Sequence, residues 1–527
     1  MKRLTTFLLG LVFSNCVVLG QDHYFRHYDA EDGLSRNTVI ATLLSEEGFL
    51  WIATKDGLNR FDGRHFEVFQ NDAENPRSIG SNYIESLHEY DNKLWVGTDN
   101  GLFKFDDDRN SFELVSNSKG LVRDVEHDHN GNIWYISGYT LFRYDLKKQK
   151  NFSYDTKTFL YAEDITRSDD GTMWIGFEDE LYKYENESDT FEKIDIRKDA
   201  SGLPIKISKL FFLDSNALLV GTENHGVLQF DVQTKKTKVL FDDPANQIFV
   251  RDFLLKGTKD LWIATESGLY LYDLETKKVR HLKKDLGNPY SLADNAIYSL
   301  TLDNENGVWV GTYFAGLNYY PQHNIHFNKY FAEPNSNSIS GNAVREIHSD
   351  QYQNLWIGTE DAGLNKFDRE TGLFTSYGPN QENNELSHYN IHALLPRANE
   401  LWIGTFEHGL DVMDIESGQI IKRYSKDGIN TIPSNFILDL HQTSTDELLA
   451  VTSSGVQTYD SKKDNFVTHD ALPEGVFFTS ILEDNNARLW LGSYGNGLYS
   501  YNLQTRKITN YSHNDSSTTS ISSNSVN

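Results

Sequence analysis

A pentapeptide of the type Leu-Trp-Ile-Gly-Thr recurs along the chain, and this recurrence constrains the fold more than any other feature of the sequence. A Gly-Leu pair and an aromatic-Asp pair usually follow it, as Gly57-Leu58 and Phe61-Asp62 follow Leu50–Thr54. The copies are 39 to 47 residues apart, and their central Trp accounts for all nine in the chain: Trp51, Trp95, Trp134, Trp174, Trp262, Trp309, Trp356, Trp402 and Trp490. Leu219 and Leu449 take its place in two degenerate copies, which makes eleven copies.

A period of this length, built from short strands, is typical of the blades of a β-propeller. The pentapeptide is apolar at three consecutive positions, which predicts a strand covered on both faces, as in blades stacked around a ring. We therefore interpret the Trp side chains as core residues. The predicted fold class is all-β, a β-propeller with one complete seven-bladed ring followed by an incomplete second propeller.

Residues 23–28, His-Tyr-Phe-Arg-His-Tyr, resemble the fourth strand of a blade but stand alone before the first full copy. The seventh copy, around Trp309, has no fourth strand of its own before Pro321. We predict that residues 23–28 complete the blade of Trp309, which would remove the open sheet edge and close the first ring. The predicted domain is a seven-bladed β-propeller over residues 21–322, which we expect to fold alone.

The second predicted domain, residues 323–527, is a truncated β-propeller with four blades and the start of a fifth. His326–Phe331 is predicted to open this ring as a fourth-type strand, and the ending Ser520–Asn527 repeats the start of an earlier copy. An open ring exposes unpaired strand edges and the apolar face of a blade. We expect this segment to need a longer chain or an oligomer; a natural short product that forms a homodimer is the alternative.

Residues 1–20 are predicted to be a secretory signal peptide, with a basic start and an apolar stretch too short to span a membrane comfortably. A lipid anchor on Cys16, the only Cys, is the alternative. The chain has 76 Asp and Glu against 49 Lys and Arg, a formal charge of −27, which argues against binding nucleic acid. We expect a periplasmic location, with membrane anchoring only if the chain continues.

The sequence contains no nucleophile elbow, zinc-protease motif, P-loop or dinucleotide fingerprint. We predict no catalytic residues, no metal ligands, no cofactor and no turnover of polysaccharides or phosphoesters. Acidic pairs are too numerous to identify or exclude a glycosidase pair, so the question of enzyme activity stays open.

Two sets of residues are candidates for ligand binding at the mouth of a propeller channel. A polar residue is predicted just before the first strand of most copies: Asn37, Asn82, Asp124, Asp164, Asp252, Asn295, Asn342, Asn390, Asn435 and Asn524. The turns between second and third strands add Tyr313, Phe314, Phe406, Glu407, His408 and Tyr494, which offer aromatic faces to sugar rings. From these sets we select Tyr313, Phe314, Asn342, Asn390, Phe406, Glu407, His408, Asn435 and Tyr494 as the candidate site. The structural alternative is turn capping for the polar residues and blade packing for the aromatic ones.

The stretch Leu34–Val39 together with Gly48–Gly63 resembles the two-component regulator propeller repeat. The arrangement is similar to the periplasmic sensor half of hybrid two-component systems of Bacteroidetes. The resemblance implies a signal peptide, two seven-bladed propellers and a small β-sandwich, followed by a membrane helix, a histidine kinase, a receiver and a DNA-binding domain. It also implies a response to carbohydrates. This chain ends inside the second propeller, so the kinase would be a partner region outside these residues.

Two functions of different class therefore follow from the sequence. One is a periplasmic module that senses a carbohydrate or other small ligand and controls a membrane-linked histidine kinase. The other is a secreted two-propeller enzyme of the glycoside hydrolase type, which would need a pair of carboxylates about 5–10 Å apart.

Overall fold

The computed structural model describes residues 24–115, 118–138, 140–154, 162–177, 180–196, 205–322, 328–334, 336–379 and 385–527. These residues form 45 β-strands and two short 3-10 helices, Ala30–Asp32 and Asp107–Arg109, and no α-helix. Within them, no helix has the length and apolar character needed to cross a membrane. The chain divides into two compact units, of which the second begins at Asn328.

The first unit contains twenty-eight strands. They are β1 Arg26–Tyr28, β2 Val39–Leu44, β3 Leu50–Thr54, β4 Gly57–Phe61, β5 Phe66–Phe69, β6 Ile84–Tyr90, β7 Lys93–Thr98, β8 Gly101–Asp106, β9 Ser111–Leu114, β10 Val122–His127, β11 Asn132–Ser137, β12 Thr140–Asp145, β13 Lys150–Tyr154, β14 Ala162–Arg167, β15 Met173–Phe177, β16 Glu180–Glu185, β17 Thr190–Ile194, β18 Ile207–Phe212, β19 Ala217–Thr222, β20 Val227–Asp231, β21 Lys236–Phe241, β22 Val250–Lys256, β23 Asp260–Thr265, β24 Gly268–Asp273, β25 Val279–Leu282, β26 Ile297–Leu302, β27 Val308–Thr312 and β28 Leu317–Tyr320.

These strands pair into seven antiparallel four-stranded sheets, which we call blades 1 to 7 in the order of their Trp-type strands. The first strand of each blade is the inner strand. Inner strands of successive blades contact one another from β2 through β6, β10, β14, β18 and β22 to β26, and β26 contacts β2 again. The blades therefore form a closed ring, and the predicted β-propeller fold is confirmed.

The ring closes through β1, which pairs with β28 in blade 7: Arg26 lies opposite Tyr319 and Tyr28 opposite Leu317. This confirms the predicted pairing over Arg26–Tyr28, while His23 lies outside the described residues. Phe25 is buried, and the Tyr28 ring lies 5.6 Å from the Trp309 ring. The start of the described chain therefore gives blade 7 both a hydrogen-bonded strand and aromatic side chains that pack in its core.

The Trp-type strands are core, as the sequence predicts. All five residues of Leu50–Thr54 are buried, and Trp51 packs with Ile84 and Val96 of the next blade. The Gly near the end of this strand allows the next inner strand to approach. A Cβ built on Gly97 would lie 2.7 Å from the Val122 carbonyl oxygen, which is closer than real contacts.

The second unit contains seventeen strands. They are β29 Val344–Ser349, β30 Leu355–Thr359, β31 Leu364–Phe367, β32 Phe374–Tyr377, β33 Ile391–Arg397, β34 Glu400–Thr405, β35 Leu410–Asp414, β36 Ile420–Ser425, β37 Asn430–Thr431, β38 Ile437–Gln442, β39 Leu448–Thr452, β40 Gly455–Asp460, β41 Asn465–Thr468, β42 Phe478–Glu483, β43 Arg488–Ser493, β44 Leu498–Asn502 and β45 Ile508–Tyr511. They form four sheets, blades 8 to 11; blade 9 has a fifth, short parallel strand, β37.

The first and last blades of the second unit expose apolar side chains at positions that are buried in other blades. Val344 and Ile347 of β29 are 45% and 56% exposed, whereas the residues at the same places in blade 9, Ile391 and Leu394, are buried. At the other end, Leu482 is 64% exposed and Trp490 is only half-buried. Among the described residues no neighbouring blade covers these side chains.

The strand predicted over His326–Phe331 is wrong for its described part, since residues 328–331 are not in a strand. A fourth-type strand needs a third strand to pair with, and the described residues provide none for this segment. The remainder of that segment and the predicted signal peptide lie outside the described residues.

Candidate functional site

Every inner strand of the first unit contains a β-bulge near its start. The pairing register skips the second residue of β2, β6, β10, β14, β18, β22 and β26, because it shifts between their first and third residues. Bulges of this kind re-aim side chains. The residues at this bulge position are Ile40, Glu85, Arg123, Glu163, Ser208, Arg251 and Tyr298.

All of these except Glu163 line a cavity of about 490 Å³ in the first unit. Lys55 and Tyr313, from turns after Trp-type strands, line it as well, together with Tyr83. Short turns and bulged strand ends from most of the blades therefore converge on one polar cavity, which is a common place for a ligand.

Aromatic rings and cations alternate around this cavity. The Tyr298 and Tyr313 rings are 4.8 Å apart, and the Lys55 ammonium lies 4.4 Å from the centre of the Tyr313 ring and hydrogen-bonds its hydroxyl. The Arg251 guanidinium lies 4.5 Å from the Tyr298 ring and pairs with Glu266. Both cations are therefore held against aromatic rings, and these contacts fix the side chains in this part of the cavity wall.

Glu85 is the acidic group with spare hydrogen-bonding capacity in this cavity. Its Oε2 is buried and has no hydrogen-bond partner among the described residues. Burial raises the pKa of Glu85, and the charges of Arg123, Lys55 and Arg251 oppose this rise. A buried oxygen without a partner costs free energy, so a ligand hydroxyl or N–H donated to it would be favourable.

An ion pair lies in the same cavity. The Lys209 ammonium donates to Asp164 Oδ1 at 2.7 Å, and Asp164 is almost fully buried. Burial alone would lower the pKa of Lys209, but the carboxylates of Asp164, Asp124 and Asp252 raise it, so Lys209 stays charged. Asp164 Oδ2 also accepts the Leu210 N–H of the next blade, so this group links neighbouring inner strands.

Of the sequence-predicted site residues, Tyr313 and Phe314 belong to the first unit. Tyr313 lines the cavity, and the ring of Phe314, 70% exposed, lies 4.7 Å from the Tyr313 ring. Tyr313 therefore belongs to the cavity wall, and Phe314 packs beside it.

The other candidates lie in the second unit and are only partly brought together. The His408 ring stacks on His388 at 4.3 Å, and Phe406 packs against His392 and Phe436 at 4.7 and 5.2 Å. Glu407 is exposed beside them. Tyr494 is 70% exposed, and its backbone N–H donates to Phe477.

Two of the recurring Asn residues cap turns through side-chain hydrogen bonds to backbone N–H groups. The side-chain oxygens of Asn342 and Asn435 accept the N–H groups of Ala332 and Lys426, at 2.8 and 2.7 Å. Asn390 differs, because its N–H donates to His388 and its buried side-chain oxygen has no hydrogen-bond partner among the described residues. Turn capping therefore accounts for Asn342 and Asn435, and their role in ligand binding stays a prediction.

The sequence assignment of Asp124, Asp164 and Asp252 to positions before the first strand is wrong. They are the third residues of β10, β14 and β22, after the bulge. The two sets differ by four positions, since Asn82 lies two residues before the start of β6 and Asp124 lies two residues after the start of β10. The sequence signal of Glu85, Arg123 and Arg251 is weaker still, a charged residue directly after the first apolar residue of the strand.

Asp439 is the counterpart of these aspartates in the second unit. Its two carboxylate oxygens accept the N–H groups of Leu440 and Ile481, and burial raises its pKa from 3.8 to about 6. An acid with a raised pKa binds its proton more tightly in the folded state, so its contribution to stability is lost as pH rises from about 4 to about 6. At 1.36 kcal/mol per pKa unit, the contribution is about 3 kcal/mol.

We expect urea unfolding of the chain to show this loss between pH 4 and pH 7, and Asp439→Asn to flatten it. The variant is expected to be less stable at pH 4, since the amide cannot accept at both positions. Parallel pH profiles of the two proteins would show that folding does not raise the pKa of Asp439.

Comparison with known proteins identifies the repeat. The family described as "Two component regulator propeller" matches residues 291–314, which include β26, β27, Tyr313 and Phe314. Histidine kinase P4 of Formosa agariphila is 42% identical over 55 residues, an alignment that spans 10% of this chain and 4% of that protein.

Two solved structures share the fold. The extracellular domain of the hybrid two component system BT3049 from B. thetaiotaomicron superposes with a TM-score of 0.53 at 18% identity, covering 93% of this chain and 78% of that one. The extracellular domain of BT4673 from the same organism gives a TM-score of 0.51 at 21% identity, covering 94% and 74%. This chain carries the two-component regulator propeller repeat and has the fold of these extracellular domains.

Proposed function

We propose that this chain is the periplasmic sensing region of a two-component signal-transduction system, and that a carbohydrate binds in the cavity of its first unit. The repeat over residues 291–314 and the fold shared with extracellular domains of two such systems support the first part. A histidine kinase outside these residues would be the output, reached by a ligand-dependent shift between conformations.

The cavity supports the second part, and its wall is the observation that carries the proposal. A sugar ring has an apolar face and a rim of hydroxyl groups. Tyr298 and Tyr313 supply aromatic rings 4.8 Å apart in the wall, and the exposed ring of Phe314 lies 4.7 Å from that of Tyr313. The free oxygen of Glu85 can accept a hydroxyl, and Arg123 supplies donors. The volume of about 490 Å³ lies in the range of small-ligand pockets.

Isothermal titration calorimetry with a panel of oligosaccharides tests this proposal on residues 21–527. We expect at least one sugar to bind, and Tyr313→Ala and Glu85→Gln to weaken its binding by about 10-fold or more, as expected for loss of a stacking face or a buried hydrogen bond. Two controls match these variants. Glu113→Gln alters an exposed carboxylate of β9 outside the cavity wall, and Tyr352→Ala removes an exposed tyrosine of the second unit.

Unchanged affinity in Tyr313→Ala and Glu85→Gln would place the ligand elsewhere. The same samples should be assayed for new reducing ends. Turnover that a single carboxylate substitution abolishes would favour the glycoside hydrolase alternative over a sensor.

A further inference from the structure

Two histidines and a glutamate meet between blades 2 and 3 of the first unit, away from the aromatic wall of the cavity. His88 is the fifth residue of β6, and Glu126 and His127 are the last two of β10. All three side chains are largely shielded from solvent, with side-chain exposures of 15%, 21% and 19%. Neither the sequence motifs nor the ligand proposal uses them.

The three ligand-type atoms form a nearly equilateral triangle. His88 Nε2 lies 2.9 Å from His127 Nδ1 and 3.5 Å from Glu126 Oε1, and His127 Nδ1 lies 3.1 Å from the same oxygen. Ligands bound to zinc at 2.0–2.1 Å in a tetrahedron are about 3.4 Å apart. The observed edges lie close to this value.

Hydrogen bonding accounts for part of the triangle, since the two imidazoles share one bond at 2.9 Å and Glu126 Oε1 accepts the His127 backbone N–H at 2.9 Å. A neutral imidazole nitrogen is either a donor or an acceptor. If His127 Nδ1 carries the proton, one N–H must be shared between His88 and Glu126, whose lone pairs then face each other. If His88 Nε2 carries it and donates to His127, the Glu126 carboxylate faces a nitrogen lone pair at 3.1 Å. A cation at the centre satisfies all three lone pairs at once.

The surroundings set the expected affinity. The Tyr90 ring packs on His127 at 4.4 Å, which fixes the imidazole. Arg167 Nε lies 3.9 Å from Glu126 Oε1 and has no hydrogen-bond partner among the described residues, so it competes with a cation for this oxygen. We therefore expect binding weaker than that of a closed structural zinc site.

We propose that His88, Glu126 and His127 form a binding site for a divalent transition metal, with zinc as the expected ion. Two imidazole nitrogens and one carboxylate are a ligand set that zinc uses with a fourth position left for water or another donor. Because the ligands come from two inner strands, the metal would join blades 2 and 3 directly. The site is separate from the sugar proposal and does not depend on it.

The test is zinc titration of residues 21–527 after dialysis against a chelator. Calorimetry should show one zinc per chain, and saturating zinc should raise the melting temperature by about 5 °C. Cobalt added in place of zinc should give the visible absorption of a tetrahedral nitrogen–oxygen site. His88→Gln and His127→Gln should each weaken zinc binding by at least about 100-fold, since even partners that only orient ligands change affinity by 10–100-fold.

His348→Gln is the matched control. His348 occupies the same position of β29 as His88 does of β6, but it faces a single carboxylate, Glu346, at 3.3 Å. The control should bind zinc like the parent chain, and Arg167→Gln should bind it more tightly. Circular dichroism and melting in chelator identify any variant that fails to fold.

Absence of zinc binding by the parent chain would overturn the proposal. Full zinc binding by His88→Gln would also overturn it, and so would loss of zinc binding in His348→Gln. Unchanged affinity in Arg167→Gln together with full binding by His127→Gln would have the same meaning.

Discussion

Deleting residues 21–28 from the fragment 21–322 is expected to abolish its cooperative unfolding. β1 is the fourth strand of blade 7, so the deletion leaves the edge of β28 unpaired. It also removes Phe25, which is buried with Trp262 and Leu292, and uncovers Trp309. The combined loss is comparable with the whole stability of a typical domain, about 5–15 kcal/mol.

A single substitution provides a graded version of this test. Phe25→Ala creates a cavity in the cluster around Trp262 and should lower the free energy of unfolding by about 3–5 kcal/mol. Phe314→Ala removes the same side chain from a site that is 70% exposed, so it should change stability by less than about 0.5 kcal/mol.

Urea unfolding followed by Trp fluorescence and far-ultraviolet circular dichroism measures both effects. The parent fragment must itself unfold cooperatively, which tests the prediction that residues 21–322 fold alone. A fragment 29–322 with a cooperative transition near that of the parent would show that β1 is dispensable for ring closure.

The sequence predicts the blades well because each copy repeats the same physical requirements. A continuous apolar strand with Trp must be covered on both faces, and Gly97 and its counterparts must let the next strand approach. The segment before the first copy is also predictable. It resembles a fourth strand, and only the blade of Trp309 in the first ring lacks one.

The cavity was less predictable, because a bulge is a feature of register and leaves no fixed residue type. Ile40, Glu85 and Tyr298 occupy the same bulge position with different chemistry. The His88–Glu126–His127 cluster was missed for another reason. Its members come from two copies, and only the register between neighbouring inner strands brings them together.

Lys209→Met is expected to be the most damaging single substitution among the charged residues of the cavity. Lys209 is the cation that pairs with Asp164, and the carboxylates of Asp124 and Asp252 also raise its pKa. Without it, Asp164 keeps its buried position and its bond to the Leu210 N–H but loses its counter-charge. Removing one partner of a buried pair costs about 3–5 kcal/mol. We expect about 3 kcal/mol, because the Lys209 side chain is 27% exposed to the cavity.

Lys206→Met is the matched control, since Lys206 pairs with Glu223 at 3.7 Å and its side chain is 49% exposed. An exposed pair contributes about 0–1 kcal/mol, so this variant should unfold nearly like the parent. Urea unfolding at pH 7 measures both.

The pH dependence and a second substitution identify the mechanism. Burial raises the pKa of Asp164, and loss of Lys209 removes a charge that opposes this rise. The folded Lys209→Met protein should therefore bind a proton more readily than the parent, and its deficit should shrink as pH falls from 7 to 5. Adding Asp164→Asn removes the uncompensated carboxylate. The double variant should therefore lose less free energy of unfolding than the two single variants lose together. Strict additivity, with a deficit independent of pH, would mean that Lys209 stabilises the ring by packing its methylene groups and not by its charge.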